Sequence, residues 1–443
     1  MRGLNDMVDQ VVGAAALRQQ QNTQGPFRRF ITATELDTRL LGMVGALVLI
    51  WLVFNYFSGG LFLTPRNLWN LSVQTSGVAV MATGMVLVIV TRNIDLSVGS
   101  ALGFVGMVMG MTQAEILPKL IGFDNSLTWI ITLGVGLLFG AAIGALQGMI
   151  IAFLKVPAFI VTLGGFLVWR GAAWWVAMGR TIAPMDSTFQ LIGGGPAGSV
   201  GFWPSWILGV VACAAILLGI YFGRRQRRRF NFPLRPVWAE ASLAVLGCGL
   251  TLAAVAVANA YPWPTRIAQR YAEANGIPVP EGGLIIAHGI AIPVLIAIGV
   301  GVLMTFIATR TRFGRYVFAM GGNPEAAELA GINTRWVTVK IFTLMGALVA
   351  ISAAISTARL NAATNALGTL DELYVIAAAV IGGTSLSGGV GTIAGAMLGA
   401  LVMQSLQSGM VLMGIDSPLQ SIVVGLVLVF AVWLDTLYRR KAK

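Results

Sequence analysis

Residues 72–91 read SVQTSGVAVMATGMVLVIVT, twenty consecutive positions without a charge. Coiled into a helix at about 1.5 Å per residue, such a run is about 30 Å long, the thickness of a bilayer's hydrocarbon core. Working outward, the same kind of run recurs along the chain. Apolar segments fall near 39–57, 72–91, 96–112, 127–153, 158–177, 205–222, 237–260, 285–309, 337–358, 373–383, 391–413 and 419–436. The pattern predicts an all-α integral membrane protein, a polytopic bundle of about 12 spans. Those at 96–112 and 373–383 are expected to be short or re-entrant.

Composition agrees. Of 443 residues, 57% are hydrophobic and 10% charged, against about 25% charged in soluble domains. So few charges cannot cover an aqueous surface, which excludes a cytosolic enzyme and a nucleic-acid binder despite the net charge of +12. The basic residues report orientation instead. With the N-terminus inside, 22 of the 29 Lys and Arg fall on cytoplasmic segments and six outside. Both termini are therefore expected in the cytoplasm. The expected organisation is a tail over 1–38, a membrane domain over 39–436 and a second tail over 437–443. The domain carries a basic hairpin at 223–236, an inserted segment at 224–284 and a cytoplasmic loop at 310–336. The hairpin arginines should fix topology and meet anionic lipid headgroups. The tail over 1–38 lacks a signal peptide's apolar core, so no cleavage is expected.

Several chemistries are closed. Cys213 and Cys248 lie in apolar runs, and His288 is the sole histidine, expected at an interface. No metal or haem set can be assembled from these. Ion-coupled carriers place carboxylates inside the bilayer, whereas Asp95, Glu240, Lys340 and Asp435 are expected at span ends. Arg170 is read as an interfacial anchor beside Trp174 and Trp175. None of the five lysines follows a glycine, so the chain lacks a phosphate-cradling P-loop.

The loop after the eighth run differs from its surroundings. Asn323 can cap a short helix opened by Pro324 and Glu325 and continued by Ala326 and Ala327, and Gly331 can end it in a left-handed conformation. Two other stretches share the pattern [DS]-L-S-x-G: Asp95-Leu96-Ser97-Val98-Gly99 and Ser385-Leu386-Ser387-Gly388-Gly389. This weak internal repeat nominates Asn93, Asp95, Ser97, Thr384, Ser385 and Ser387 as candidate pore-side or helix-break residues. Glycines at four-residue intervals, Gly140, Gly144, Gly148 and Gly391, Gly395, Gly399, predict close helix packing.

Glu325-Ala326-Ala327 with Gly331 resembles the E-A-A-x-x-x-G coupling motif of ATP-binding cassette (ABC) importer permeases, and Ile341 follows at the motif's spacing. The block from Thr311 to Ile332, the Ile94–Ser100 block, Gly382–Gly389 and Val156–Gly165 are together similar to the ribose/xylose-type monosaccharide permeases. The insertion at 224–284 resembles the xylose subgroup. That resemblance implies a homodimeric permease in the inner membrane, with a cytoplasmic ABC ATPase docked on Asn323, Pro324, Glu325, Ala326, Ala327 and Gly331. A periplasmic sugar-binding protein would deliver a monosaccharide such as D-xylose. ATP would be bound by the partner, leaving this chain without a cofactor of its own and without enzymatic activity. The alternatives are a facilitator-type secondary sugar carrier, or the same ABC architecture carrying branched-chain amino acids.

Overall fold

The computed structural model describes residues 30, 32–35, 37–122, 125–280 and 283–442. Arg2, Arg18, Arg28, Arg29 and most of the expected N-terminal tail lie outside them, as does Lys443. Among the described residues the regular elements are helices, with three isolated β-bridges and no strand. Contacts divide the chain into two compact units, Met1–Gly42 with Trp206–Val255, and Met43–Ser205 with Ala256–Lys443.

The first unit is built on α6 (Phe202–Arg229) and α7 (Val237–Asn259), an antiparallel hairpin. Gly209 packs against Val255 and Gly247 against Ile216. The Cys213 and Cys248 thiols each face the other residue's carbonyl, at 3.8 and 3.9 Å. At the basic turn Arg224 pairs with Glu240 (2.6 Å), and Arg227 and Arg235 both hold Glu35 (2.5 and 2.9 Å). Hydrogen bonds from the two guanidinium groups pull the Glu35 carboxyl down to about 2.

In the second unit, α1 (Thr38–Phe57), α2 (Pro65–Val90), α3 (Val98–Ile121), α4 (Thr128–Phe153) and α5 (Ala158–Ala177) precede the hairpin. After it come α8 (Thr265–Ala274), α9 (Ile292–Arg310), α10 (Arg312–Gly322), α11 (Pro324–Leu329), α12 (Thr334–Leu360), α13 (Asp371–Ile381), α14 (Ile393–Leu412) and α15 (Ser417–Ala442). Among the described residues, ten helices are long and apolar enough to cross a membrane. Each of the twelve sequence runs contains a helix, but the eighth begins only at Ile292, with 285–291 outside it, and the two short ones also differ. The third continues through a π-helical turn at Thr112–Ile116 to a 24-residue helix, long enough to cross. The tenth, α13, has only 11 residues and spans about half the distance.

Three helices are the most enclosed. The apolar window of α2 is 89% buried and those of α3 and α12 72%, against 6% for α1, so lipid contact falls on the outer helices. α2 and α12 run antiparallel, with Gly77 against Ser352 and Gly84 against Met345 and Leu348. α4 lies along α12 because glycines remove the side chains between them. A methyl group on Gly140 or Gly144 would overlap the carbonyl of Gly346 or Phe342. α14 lies along α2, where Ser408 meets Asn67 at 3.2 Å, and its own glycines face α13 instead: a methyl group on Gly395 or Gly399 would overlap the carbonyl of Gly382 or Ala378.

An inverted repeat follows from this packing. α2, an extended break at 91–97, α3 and α4 correspond to α12, a break at 361–370, α13 and α14, with the second set running the opposite way. The two breaks turn inward until the helix starts touch: Gly368 abuts the Gly99 carbonyl, and Glu372 abuts Gly99. The structure thus corrects the repeat drawn from [DS]-L-S-x-G. The partner of the 91–97 break is 361–370, which precedes α13, whereas 384–389 follows it. Chance similarity of short Leu-Ser turns outweighed the helix order in the sequence.

Candidate functional site: a capped loop and a polar cavity

The loop between α9 and α12 folds as its residue types require. Thr311 caps α10, its Oγ1 accepting from the Gly314 N–H at 3.1 Å. Asn323 then ends α10 and opens α11, its Oδ1 accepting from the Ala326 N–H at 3.1 Å. Pro324 occupies the first helical position, where its missing N–H costs nothing. Gly331 takes φ +83 and donates to the Glu328 carbonyl, while Ile332 donates to the Ala327 carbonyl. That pair of bonds is the Schellman termination. Ala327 is buried beneath the short helix, and Glu325, Ala326, Glu328 and Leu329 face outward. The result is a small rigid knob with an acidic and apolar face.

This knob is tied to the first helix break. Arg92, in the left-handed region at φ +62, donates from Nε to the Gly321 carbonyl (3.2 Å) and from Nη2 to Gly322 (2.8 Å). Beyond Arg92 the break carries Asn93, Asp95 and Ser97. Asn93 bonds back to Thr91. The Asp95 carboxylate accepts from the Ser97 N–H (2.9 Å) and hydroxyl (2.6 Å), which satisfies the start of α3. Gln147 donates to Ser97 Oγ at 2.9 Å, and Thr162 donates to the Ile94 carbonyl at 3.1 Å. The other nominated group, Thr384, Ser385 and Ser387, lies in the loop after α13. Ser385 and Ser387 share a hydrogen bond of 2.8 Å. Gly389 donates to the Val90 carbonyl at 2.9 Å and brings this loop to the same end of α2. The three sequence-nominated groups therefore gather at one end, and none of them is among the residues that line the polar cavity.

The cavity lies in the opposite half and was not anticipated. It has a volume of about 400 Å³ and is bounded by three helices and the start of α13. Each helix contributes polar residues along one face: Asn67, Asn70 and Gln74 from α2, Ser352, Ser356 and Arg359 from α12, and Gln404, Gln407 and Ser408 from α14. The spacings of three and four residues put each set on one stripe. Asp371, the first residue of α13, completes the wall. Amides hydrogen-bond across it, Gln404 to Gln407 at 2.8 Å and Gln404 to Gln74 at 3.4 Å. Between the cavity and the α10–α11 loop, α2, α12 and α14 carry fully buried side chains, Met81, Met85, Phe342 and Met403 among them. A cavity of this size, rich in neutral donors and acceptors, suits a small uncharged polyhydroxyl molecule.

Three other sequence expectations change. Arg170 is no interfacial anchor: its Nη1 donates to the Asn365 and Leu367 carbonyls, each at 2.9 Å, and pins the 361–370 break. The spans are also not empty of carboxylates. Asp95 and Glu372 are buried and Asp371 faces the cavity, because both breaks carry their polar residues into the interior. His288 is buried in an aromatic nest, stacked on Tyr261 at 4.3 Å and close to Trp69 at 4.8 Å. Burial pushes its imidazole below the usual value. No group of three metal-binding side chains occurs among the described residues.

Residues 67–432 match the family described as branched-chain amino acid transport system / permease component. The xylose transport system permease protein of Escherichia coli (strain K12) is 37% identical over 409 residues, covering 92% of this chain and 94% of that protein. The corresponding protein of Haemophilus influenzae is 36% identical, covering 90% and 96%. The ribose import permease protein of Escherichia coli (strain K12) is 30% identical, covering 92% and 96%. No solved structure matches the chain. Ten long apolar helices together with these relatives make it a multi-pass protein of the inner membrane. Loop, cavity and inverted helix order thus belong to a transport permease: the chain is a member of the branched-chain amino acid transport system / permease component family.

Proposed function

We propose that the chain is the membrane-spanning subunit of an ABC importer for a monosaccharide, a pentose such as D-xylose. The observation that carries this reading is near-full-length similarity to permeases named for xylose and ribose, with a neutral polar cavity in the membrane domain. A periplasmic sugar-binding protein delivers the cargo, and a cytoplasmic ATPase docks on the Asn323–Gly331 knob. Two copies of the chain form the channel, within membrane lipid. ATP is bound and hydrolysed by the ATPase, and this chain supplies the path.

The geometry suggests how the path works. On the loop side of the cavity, α2, α12 and α14 are packed through buried apolar side chains. Movement of α11 is passed through Gly321, Gly322 and Arg92 into the 91–97 break, and from there to the touching starts of α3 and α13. Because Asp371 stands at that second start, a shift of the loop reaches the cavity wall. Alternating access then consists of tilting one repeat against the other.

The family description names branched-chain amino acids, which is the second reading. The experiment that separates the two is reconstitution of the permease with its ATPase and binding protein. D-xylose-loaded binding protein should stimulate ATP hydrolysis several-fold over the empty form. Stimulation by leucine-loaded binding protein with none by any monosaccharide would transfer the chain to the second reading.

A further inference from the structure

Two charges stand in the cavity among its amides and hydroxyls: Arg359, in the last turn of α12, and Asp371, the first residue of α13. They lie on either side of the 361–370 break. Charged side chains within a membrane domain are costly, and the usual compensation is direct pairing. Here Asp371 is half-buried and Arg359 exposed at the cavity's rim, and the two attract each other through space, with Arg170 adding to the pull on Asp371. Neither residue forms an ion pair in contact or a side-chain hydrogen bond among the described residues, which leaves their donors and acceptors open to the cavity. The frame behind them is fixed. The Gly193 backbone packs directly on the backbone of Arg359, and Arg170 pins the carbonyls of Asn365 and Leu367.

We propose that Asp371 and Arg359 are the cargo-orienting pair of the permease. The Asp371 carboxylate accepts hydrogen bonds from hydroxyl groups of a neutral sugar. The Arg359 guanidinium donates to others, and Gln404, Gln407 and Asn70 fill the remaining positions. A carboxylate only accepts and a guanidinium only donates, so together they read the directions of hydroxyl groups that a cavity of amides alone would leave ambiguous. Their opposite charges cancel, leaving a cavity with no net attraction for anions or cations. The choice is for uncharged polyols. This inference rests on the monosaccharide-importer reading above and adds the residues that recognise the cargo.

The test is import of D-xylose and of its monodeoxy analogues by the reconstituted complex of permease, ATPase and binding protein. Wild-type permease is compared with Asp371→Asn and Arg359→Gln, and with the charge-keeping Asp371→Glu and Arg359→Lys as a second set should the first fail to assemble. One binding protein is used throughout, so its own preferences cancel in the ratio of wild type to variant. A hydrogen bond to a charged group corresponds to a factor of about 10–100. Each neutral variant should therefore lower D-xylose import by about that factor. It should also reduce discrimination against one particular deoxy analogue, while ATP turnover stimulated by the binding protein persists. A purely structural role would slow all the sugars alike. An unchanged ratio of D-xylose to every deoxy analogue overturns the inference while leaving the importer reading in place. Wild-type complex that imports no monosaccharide overturns both.

Discussion

Gly144 offers a direct test of how the centre of the protein is held together. Its Cα faces the Phe342 carbonyl on α12, and a Cβ there would overlap both atoms of that carbonyl and crowd Thr343 Cα at 3.1 Å. All three obstacles are backbone, so no rotamer can relieve them and the two helices must separate. Overpacking a close contact costs about 1–3 kcal/mol, and more when backbone must move. Gly134, on the same helix, is the internal control because nothing lies within 4 Å of the place a methyl group would take there. At that position alanine should gain about 0.5–1 kcal/mol through helix propensity. Gly144→Ala and Gly134→Ala make the same chemical change ten residues apart on one helix, so the propensity gain cancels between them and they should differ by the overpacking cost, about 1–3 kcal/mol. Thermal unfolding of the two purified variants, followed by circular dichroism or by loss of monodispersity, measures the difference. Equal melting temperatures would refute the account of α4 and α12 as a glycine-mediated pair.

Further outcomes follow from other contacts. Arg92→Ala removes two bonds to the Gly321 and Gly322 carbonyls, worth about 1–3 kcal/mol in total. Sugar imported per ATP hydrolysed should fall several-fold while ATP turnover continues, and an unchanged ratio would take Arg92 out of the coupling path. Arg170→Met leaves the Asn365 and Leu367 carbonyls without their donor and should cost about 2–5 kcal/mol of stability. A melting temperature equal to wild type would show that this tether is dispensable. The Glu35 carboxyl, drawn down to about 2 by Arg227 and Arg235, gives a pH signature. A depressed carboxyl stabilises above its unfolded value and loses that contribution as pH falls through the folded one. The contact of Glu35 with the basic turn should therefore survive at pH 5 and weaken only between about 4.5 and 2. Spin labels near residues 35 and 235 that separate already above pH 5 would contradict it.

Much of the fold was legible because a bilayer imposes a length. Runs of about twenty uncharged residues leave little choice, and each of the twelve runs holds a helix, although the eighth starts only at Ile292. The third was read too short because Glu115, Pro118 and Lys119 look like a loop, whereas a π turn carries the helix through them. The α11 caps were also legible, since Asn323, Pro324 and Gly331 act locally. The cavity was not. Asn67, Ser352 and Gln404 each look like an isolated polar residue in an apolar run, and only packing of α2, α12 and α14 brings them together. A signal was nevertheless present, since in all three helices polar residues recur at spacings of three and four on one stripe. Asp371 and Glu372 were missed for a different reason. They end a polar connection, and the sequence does not reveal that this connection dips into the interior to meet Gly99.

The most direct measurement is uptake of labelled D-xylose into proteoliposomes containing the permease, its ATPase partner and, on the opposite side, the sugar-loaded binding protein. Uptake should require ATP and binding protein together, proceed against a concentration gradient, and vanish when Glu325 and Gly331 are replaced with the protein still inserted. Sugar entry that runs equally well without ATP, down its gradient only, would contradict an ATP-driven importer.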